Sequence, residues 1–301
     1  MNRYARIFAS FTPFFLTACG AEAPEGTADP NVVHLDLGTF TVPQGESFMC
    51  YYTDTITTKE LSVISATGLQ GPGGHHLSMY YVDNERPVGP TPCSGTKEMV
   101  DWHFVVGGGG ENGAEGIITL DKGLAIKIPV GKQLMVQAHY INTRGVEETV
   151  HDTMDIQLTD PADVKAYAAD FVVDNDAFEI PAHAPLESTS VCKVDQDLQL
   201  AVLLPHMHEH GKHFKLEMLD AQGNLSKTLI DTDWFANYAS HPPVQVFTMD
   251  KPLVIPAGSQ LRQTCMWNNT SDTSLIFPTE MCIGFGYYFP GNTRILCEQT
   301  P

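Results

Sequence analysis

Among the twelve histidines of this 301-residue chain, five are spaced so that they could build metal sites. His206 and His208 form a His-x-His pair. If Leu198 to His208 is a strand, residues two apart project from one face, and both imidazoles can reach one ion. His75 and His76 are adjacent, so on a regular strand they point to opposite faces. They can share an ion only where the backbone is distorted, and Gly71-Pro-Gly-Gly74 just before them supplies residues that tolerate distortion. His139 lies within Leu134-Met-Val-Gln-Ala-His-Tyr140, where a lone polar side chain among apolar neighbours needs a partner. His210 and His213 follow where the strand turns, and read as loop residues or outer support for the pair before them.

Three neutral imidazoles with an open position suit zinc or copper. Two imidazoles and a thioether favour copper, because methionine sulfur is a soft donor. Met281, in Thr279-Glu-Met-Cys-Ile-Gly-Phe285, and Met266 are the candidate thioethers. Any one of these histidines alone reads more simply as a satisfied core or surface residue. Their joint appearance at corresponding places in two similar halves points to metal.

The elements that must hold them are strands. Alternating stretches such as His34-Leu-Asp-Leu-Gly-Thr-Phe-Thr-Val42 and Phe214-Lys-Leu-Glu-Met-Leu219, punctuated by Gly and Pro, dominate, and helix signals are scarce. The run Gly107–Gly110 with Glu111-Asn112-Gly113 reads as a loop. Ile128 to Thr143 can be laid over Ile255 to Thr270 without a gap, with seven of sixteen positions identical. His75-His76 and His206-Met-His208 fall at nearly the same offset. The expected fold is therefore all-β: two tandem antiparallel β-sandwich, jelly-roll-like domains, residues 32–163 and 164–301, meeting near Asp160-Pro-Ala-Asp-Val164. On the residues alone, this repeat aligns Met266 with His139 and prefers it as the thioether.

Composition narrows the function. Hydrophobic content of 43% allows a packed core, and 17 Lys+Arg against 36 Asp+Glu give a net charge of −19. Such a chain lacks the clustered basic residues that nucleic acid requires. Arg3, Arg6 and the apolar stretch Ile7–Ala18 read as an export signal, residues 1–18, ending in Leu16-Thr-Ala-Cys19, which resembles a bacterial lipobox. Cys19 is then the lipidated residue, and residues 19–31 are a flexible Pro/Gly/Ala/acidic tether. This predicts a lipid-anchored protein of the bacterial cell envelope, with the outer membrane favoured because Gly20 is not an inner-membrane retention acid. Cys50, Cys93, Cys192, Cys265, Cys282 and Cys297 remain, an even set that suits disulfides in an oxidising compartment, their pairing open at this level.

The ordered set His75-His76, Gln137-Ala-His139-Tyr140, His206-Met-His208 and Glu280-Met281-Cys282 resembles the copper type II, ascorbate-dependent monooxygenases, the family of peptidylglycine α-hydroxylating monooxygenase and dopamine β-monooxygenase. The resemblance spans residues 35 to 297. It implies two copper ions: one held by His75, His76 and His139 that stores an electron, and one held by His206, His208 and Met281 where oxygen reacts. These last three are then the catalytic residues, and Met281 displaces Met266. It further implies the disulfides Cys50–Cys93, Cys192–Cys297 and Cys265–Cys282. The implied activity is hydroxylation of a C–H bond of a small organic or peptide-like substrate by O2, with ascorbate or another one-electron donor as reductant. The alternative is a non-catalytic copper-binding envelope lipoprotein for storage, delivery or sensing. Peptide-hydroxylating members hold the substrate carboxylate with an arginine two residues before the His-x-His pair and polar residues just after the methionine. Here Leu204, Ile283 and Phe285 occupy those places, which points to a neutral or cationic, partly apolar substrate.

Overall fold

The computed structural model describes residues 29–93, 101–111, 113, 118–239, 241–277 and 279–297. The signal segment 1–18, Cys19 and the tether up to residue 28 lie outside the described residues. The first half contributes β1 (Val32–Val42), β2 (Gly45–Ile56), β3 (Leu61–Leu69), β4 (Gly74–Val82), β5 (Gly89–Pro92), β6 (Trp102–Gly108), β7 (Leu124–Ile128), β8 (Gln133–Asn142) and β9 (Glu148–Leu158). The second contributes β10 (Ala166–Asp174), β11 (Glu179–Ile180), β12 (Pro185–Lys193), β13 (Leu198–His206), β14 (Gly211–Leu219), β15 (Leu225–Asp233), β16 (Gln245–Val246), β17 (Leu253–Ile255), β18 (Gln260–Asn268), β19 (Leu275–Ile276), β20 (Ile283–Phe289) and β21 (Ile295–Cys297). The expected all-β sandwich class is what forms. The helical segments among the described residues are two short 3-10 turns, Pro161–Asp163 and Ala236–Ala239.

Each half packs two sheets face to face. In the first, β5-β2-β8-β4-β6 lies over β1-β9-β3-β7, enclosing Leu37, Val63, Leu77, Met79, Val136 and Tyr140. In the second, β12-β18-β14-β15 lies over β10-β20-β13-β16, enclosing Phe171, Leu200, Leu203, Phe214, Leu216 and Leu261. Strand β8 is buried on both faces: Leu134, Val136, Ala138 and Tyr140 enter the core, while Met135, Gln137 and His139 occupy the outer face, where Met135 packs with Cys50, Tyr52, Tyr80 and Trp102. That double burial explains why it reads as a nearly continuous apolar run.

Antiparallel pairing alone does not describe the architecture. Strands β7 and β10 pair in parallel, Leu124↔Ala166 to Ile126↔Ala168, and this joins the main sheets of the two halves into one ten-stranded sheet. Side chains cross as well. Ala201, Val202, Leu204, Tyr287 and Phe289 leave β13 and β20 to enter the core of the first half. The buried Tyr287 hydroxyl donates to the Val105 carbonyl at 2.8 Å. A parallel pair needs a crossover between its strands, and periodicity within one segment carries no sign of it.

The internal repeat has a structural counterpart. Gly131 (φ 77°) and Gly258 (φ 82°) occupy the same turn into a strand. The Gly131 N–H donates to Thr57 O at 2.8 Å and the Gly258 N–H to Val194 O at 2.8 Å. Asn142 and Asn269, one residue before the ends of the aligned segments, are both buried. The Asn142 amide donates to Pro43 O (3.2 Å) and Val146 O (2.7 Å) and accepts from Arg144 N (3.1 Å). The Asn269 amide donates to Pro181 O (3.0 Å) and Thr273 O (2.8 Å) and accepts from Ser271 N (2.9 Å).

All three expected disulfides form: Cys50–Cys93, Cys192–Cys297 and Cys265–Cys282. Three local expectations are corrected. Strand β13 ends at His206, so His208 lies beyond it, because the chain turns there with Gly211 N–H bonded to His208 O. Gly107 and Gly108 belong to β6, where they pair with Ser78 and Leu77, instead of opening a loop. His213 lies inside β14, its ring between Asp231 (2.8 Å) and Asp233 (3.0 Å) of the neighbouring strand. Because each buried asparagine satisfies several backbone groups at once, Asn142→Ala and Asn269→Ala are each expected to destabilise the chain by about 2–4 kcal/mol. Urea unfolding followed by tryptophan fluorescence checks this, and similar losses in the two variants are the expected result.

Candidate metal centres

The first centre sits on the outer face of the five-stranded sheet. His76 and His139 are cross-strand partners in β4 and β8, and the pairing slips by one residue between Gly74 and His76. That irregularity is the distortion the adjacent histidines require, and it turns His75 toward the same place. The turn before it is tight. Gly73 adopts φ 80°, Gly74 N–H bonds Gly71 O at 3.0 Å, and a Cβ on Gly74 would stand 2.3 Å from Gln70 Cβ. The His75 and His76 rings lie 4.6 and 5.0 Å from that of His139, and ligand nitrogens of all three residues fall within 4.8 Å of one another. His75 Nδ1 and His139 Nδ1 are 3.0 Å apart. Two nitrogens at right angles about an ion roughly 2.0–2.1 Å from each would be separated by about that much.

Burial favours the neutral form of His75 and His76, the form metal ligation demands. It pushes His75 down to about 4 and His76 well below its usual value, helped in both cases by the neighbouring His139. The His76 Nδ1 atom is buried and has no hydrogen-bond partner. A buried nitrogen with no partner beside two other imidazoles is what a metal ion would satisfy. His139 is held by its surroundings: Phe48 stacks on its ring (4.1 Å, 10°), Glu46 Oε1 lies 2.9 Å from its Nε2, and the Gln70 amide donates to its carbonyl at 3.2 Å.

The second group lies at the end of β13 and just beyond it. His206 shares a face with Val202 and Leu204, the face that meets the first half, and its ring is 5.1 Å from that of His208. Burial pushes His206 down to about 3 and lowers His208. His208 Nδ1 lies 2.9 Å from the Thr279 carbonyl, an acceptor, so the proton resides on Nδ1 and Nε2 is left bare. Met281 precedes β20, two residues before Ile283, which is the ladder partner of His206. The Cys265–Cys282 disulfide ties the residue after Met281 to the opposite sheet. Met266 faces away from this group: it pairs with Glu187 and His213 on the four-stranded sheet, whereas His206 belongs to the ten-stranded one. Among the described residues, only His75, His76 and His139 bring three His, Cys, Asp or Glu ligand atoms together, so His206 and His208 have no third donor of these kinds beside them there.

The two groups face each other. Glu46 and His75 from the first half are close enough to His208 for their charges to influence one another, and His76 feels both His206 and His208. His241, from the loop after Ala236–Ala239, brings its ring to 6.3 Å from that of His75. Neither Glu46 nor His241 is marked by spacing, since each depends on strand register or loop path.

A buried carboxyl group supports each histidine turn. Asp152 accepts the Tyr140 hydroxyl and the Gly71 N–H (3.1 Å). Glu280 accepts the His208 N–H (3.1 Å), the His210 N–H (2.8 Å) and the Trp267 indole N–H (3.1 Å). Burial raises the pKa of both, that of Glu280 to about 7, against the pull of these donors. Every named partner of Glu280 is an N–H group, so an amide in its place must set an NH2 against a donor. Glu280→Gln is therefore expected to cost about 1–3 kcal/mol locally. Hydrogen exchange at the His208 and His210 amides should quicken by about 10- to 100-fold; unchanged protection would show that the carboxyl group does not hold the turn.

No protein-family profile matches the chain, and no curated protein matches it. Among solved structures it is similar to PNGase F, a glycosylasparaginase from Flavobacterium meningosepticum, at 9% identity over 87% of this chain and 97% of that one, with a TM-score of 0.39. It is also similar to the major capsid protein P2 of bacteriophage PM2, at 7% identity over 82% of this chain and 99% of that one, with a TM-score of 0.34. These likenesses concern the β fold and carry nothing about activity.

Proposed function

We propose that the chain is a two-copper monooxygenase that hydroxylates a C–H bond of a small organic or peptide-like substrate with O2 and a one-electron reductant such as ascorbate. The observation that carries this reading is the convergence of His75, His76 and His139, with a buried, unpartnered nitrogen at His76, opposite a second imidazole pair. His75, His76 and His139 would hold the electron-storing ion. His206, His208 and Met281 would hold the one that meets oxygen, a soft thioether favouring the reduced metal. Bound copper would supply one-electron transfer and oxygen activation. The protein supplies imidazoles oriented by their neighbours, a turn anchored by Glu280 and, on the His206 face of the sheet, an apolar wall of Ile283 and Phe285 backed by the core residue Leu204. With no arginine at position 204 and a net charge of −19, that wall suits a neutral or cationic, partly apolar substrate. The three disulfides support an oxidising compartment and with it export, while lipid anchoring through Cys19 in the cell envelope, the outer membrane favoured, is carried by the lipobox-like Leu16–Cys19 and by Gly20.

Native mass spectrometry of the copper-loaded, dialysed chain is the first test. Two ions per chain are expected, falling to one in His208→Ala and separately to one in His75→Ala. Met281→Ile should keep copper at the first centre and lose ascorbate-dependent product formation. No bound copper, or one ion indifferent to these changes, would overturn the assignment. Two ions with oxygen consumption that never depends on an added substrate would favour the non-catalytic copper lipoprotein. Glycine-extended acidic peptides should compete poorly in any turnover assay.

A further inference from the structure

Building on the copper reading, we infer that Glu46 is a positioning residue that fixes the tautomer of His139 and so aims its Nδ1 lone pair into the first centre. A neutral imidazole carries one proton. His139 Nε2 is 2.9 Å from Glu46 Oε1, and an ionised carboxylate can only accept, so the proton belongs on Nε2. Nδ1 is then bare, and it is the atom 3.0 Å from His75 Nδ1. Two N–H groups cannot point at each other across that distance, so the arrangement is consistent only if one of these nitrogens is a lone pair.

The backbone explains why Glu46 can do this. Phe48 lies directly opposite His139 in the β2–β8 ladder, and Glu46 is two residues along β2 on the same face. Phe48 stacked at 4.1 Å fixes the plane of the ring, and Glu46 fixes its rotation within that plane. The second group uses the opposite arrangement: Thr279 O holds the proton on His208 Nδ1 and leaves Nε2 free. One centre thus presents a δ nitrogen and the other an ε nitrogen, each selected by an acceptor on the far side of the ring. An anionic acceptor also makes the imidazole a stronger donor, which favours oxidised copper at the first centre. The Glu46 side chain is 53% exposed, so replacing it leaves no buried hole.

The test has one readout free of metal and one that needs it. In the metal-free, 15N-labelled chain, long-range 1H–15N spectra should show His139 as the Nε2–H tautomer, its signals assigned by their loss in His139→Gln. Glu46→Ala should shift His139 toward a mixture with Nδ1–H, whereas Glu46→Gln, which keeps an acceptor oxygen, should restore Nε2–H. In chelator competition, Glu46→Ala should weaken copper at the first centre by about 10- to 100-fold and leave the second unchanged, with Glu46→Gln recovering much of the loss. A proton on Nδ1 in the unaltered chain, or a Glu46→Ala variant with unaltered tautomer and copper affinity, would overturn the inference. A Glu46-dependent tautomer in a chain that binds no copper would overturn the copper reading and leave the positioning role standing.

Discussion

Each histidine turn hangs from a buried carboxyl group, and the placement of both histidine groups depends on that support. Residue 140 follows His139 and residue 267 follows Met266, the two aligned positions of the repeat. The aromatic side chain at each points into the core and donates to a carboxyl: Tyr140 to Asp152, Trp267 to Glu280. Those carboxyls in turn receive backbone N–H groups from the turns that carry the histidines, Gly71 in one half and His208 and His210 in the other. Burying a carboxyl is costly, and the raised pKa values of both groups record that cost. What is gained is a loop whose backbone cannot drift while its side chains stay free to bind.

The same plan places a different residue at the aligned position in each half. In the first, the aligned position is His139 itself, on the outer face of the five-stranded sheet. In the second, that position is Met266, which has turned to the side of the sandwich facing away from His206. The thioether that the resemblance assigns to the second group is Met281, which stands just before β20 and next to the disulfide at Cys282. Repeat logic alone points to Met266, which lies on the four-stranded sheet away from His206. The resemblance points to Met281, which lies next to the ladder partner of His206.

Much of this was legible in the residues. The all-β class follows from period-two patterning, and Ile-Pro-x-Gly marks the same glycine turn twice, at Gly131 and Gly258. The adjacent histidines require a distorted strand, and the slip between Gly74 and His76 supplies it. Other features were not legible, for a physical reason. Glu46 meets His139 through the β2–β8 register, and the parallel β7–β10 pair depends on where whole strands lie after the chain has crossed over. His208 leaves the strand because the turn closes at Gly211, so the two-residue spacing holds while the reason for their closeness is a bend. Local patterns encode faces; partners across a sheet are set by the assembled fold.

The seam at β7 and β10 makes the two halves mechanically dependent. Three residue pairs there carry the ten-stranded sheet from one sandwich to the next, and β13 and β20 lodge five side chains in the core of the first half. A chain severed near Asp160 would leave each piece with a bare strand edge, and the first piece would also lose Val202, Leu204 and Tyr287 from its interior. Such an edge invites pairing with other copies. The distance between the two histidine groups is therefore not set by a flexible hinge. It is inherited from a sheet, and altering it would mean breaking main-chain ladder bonds.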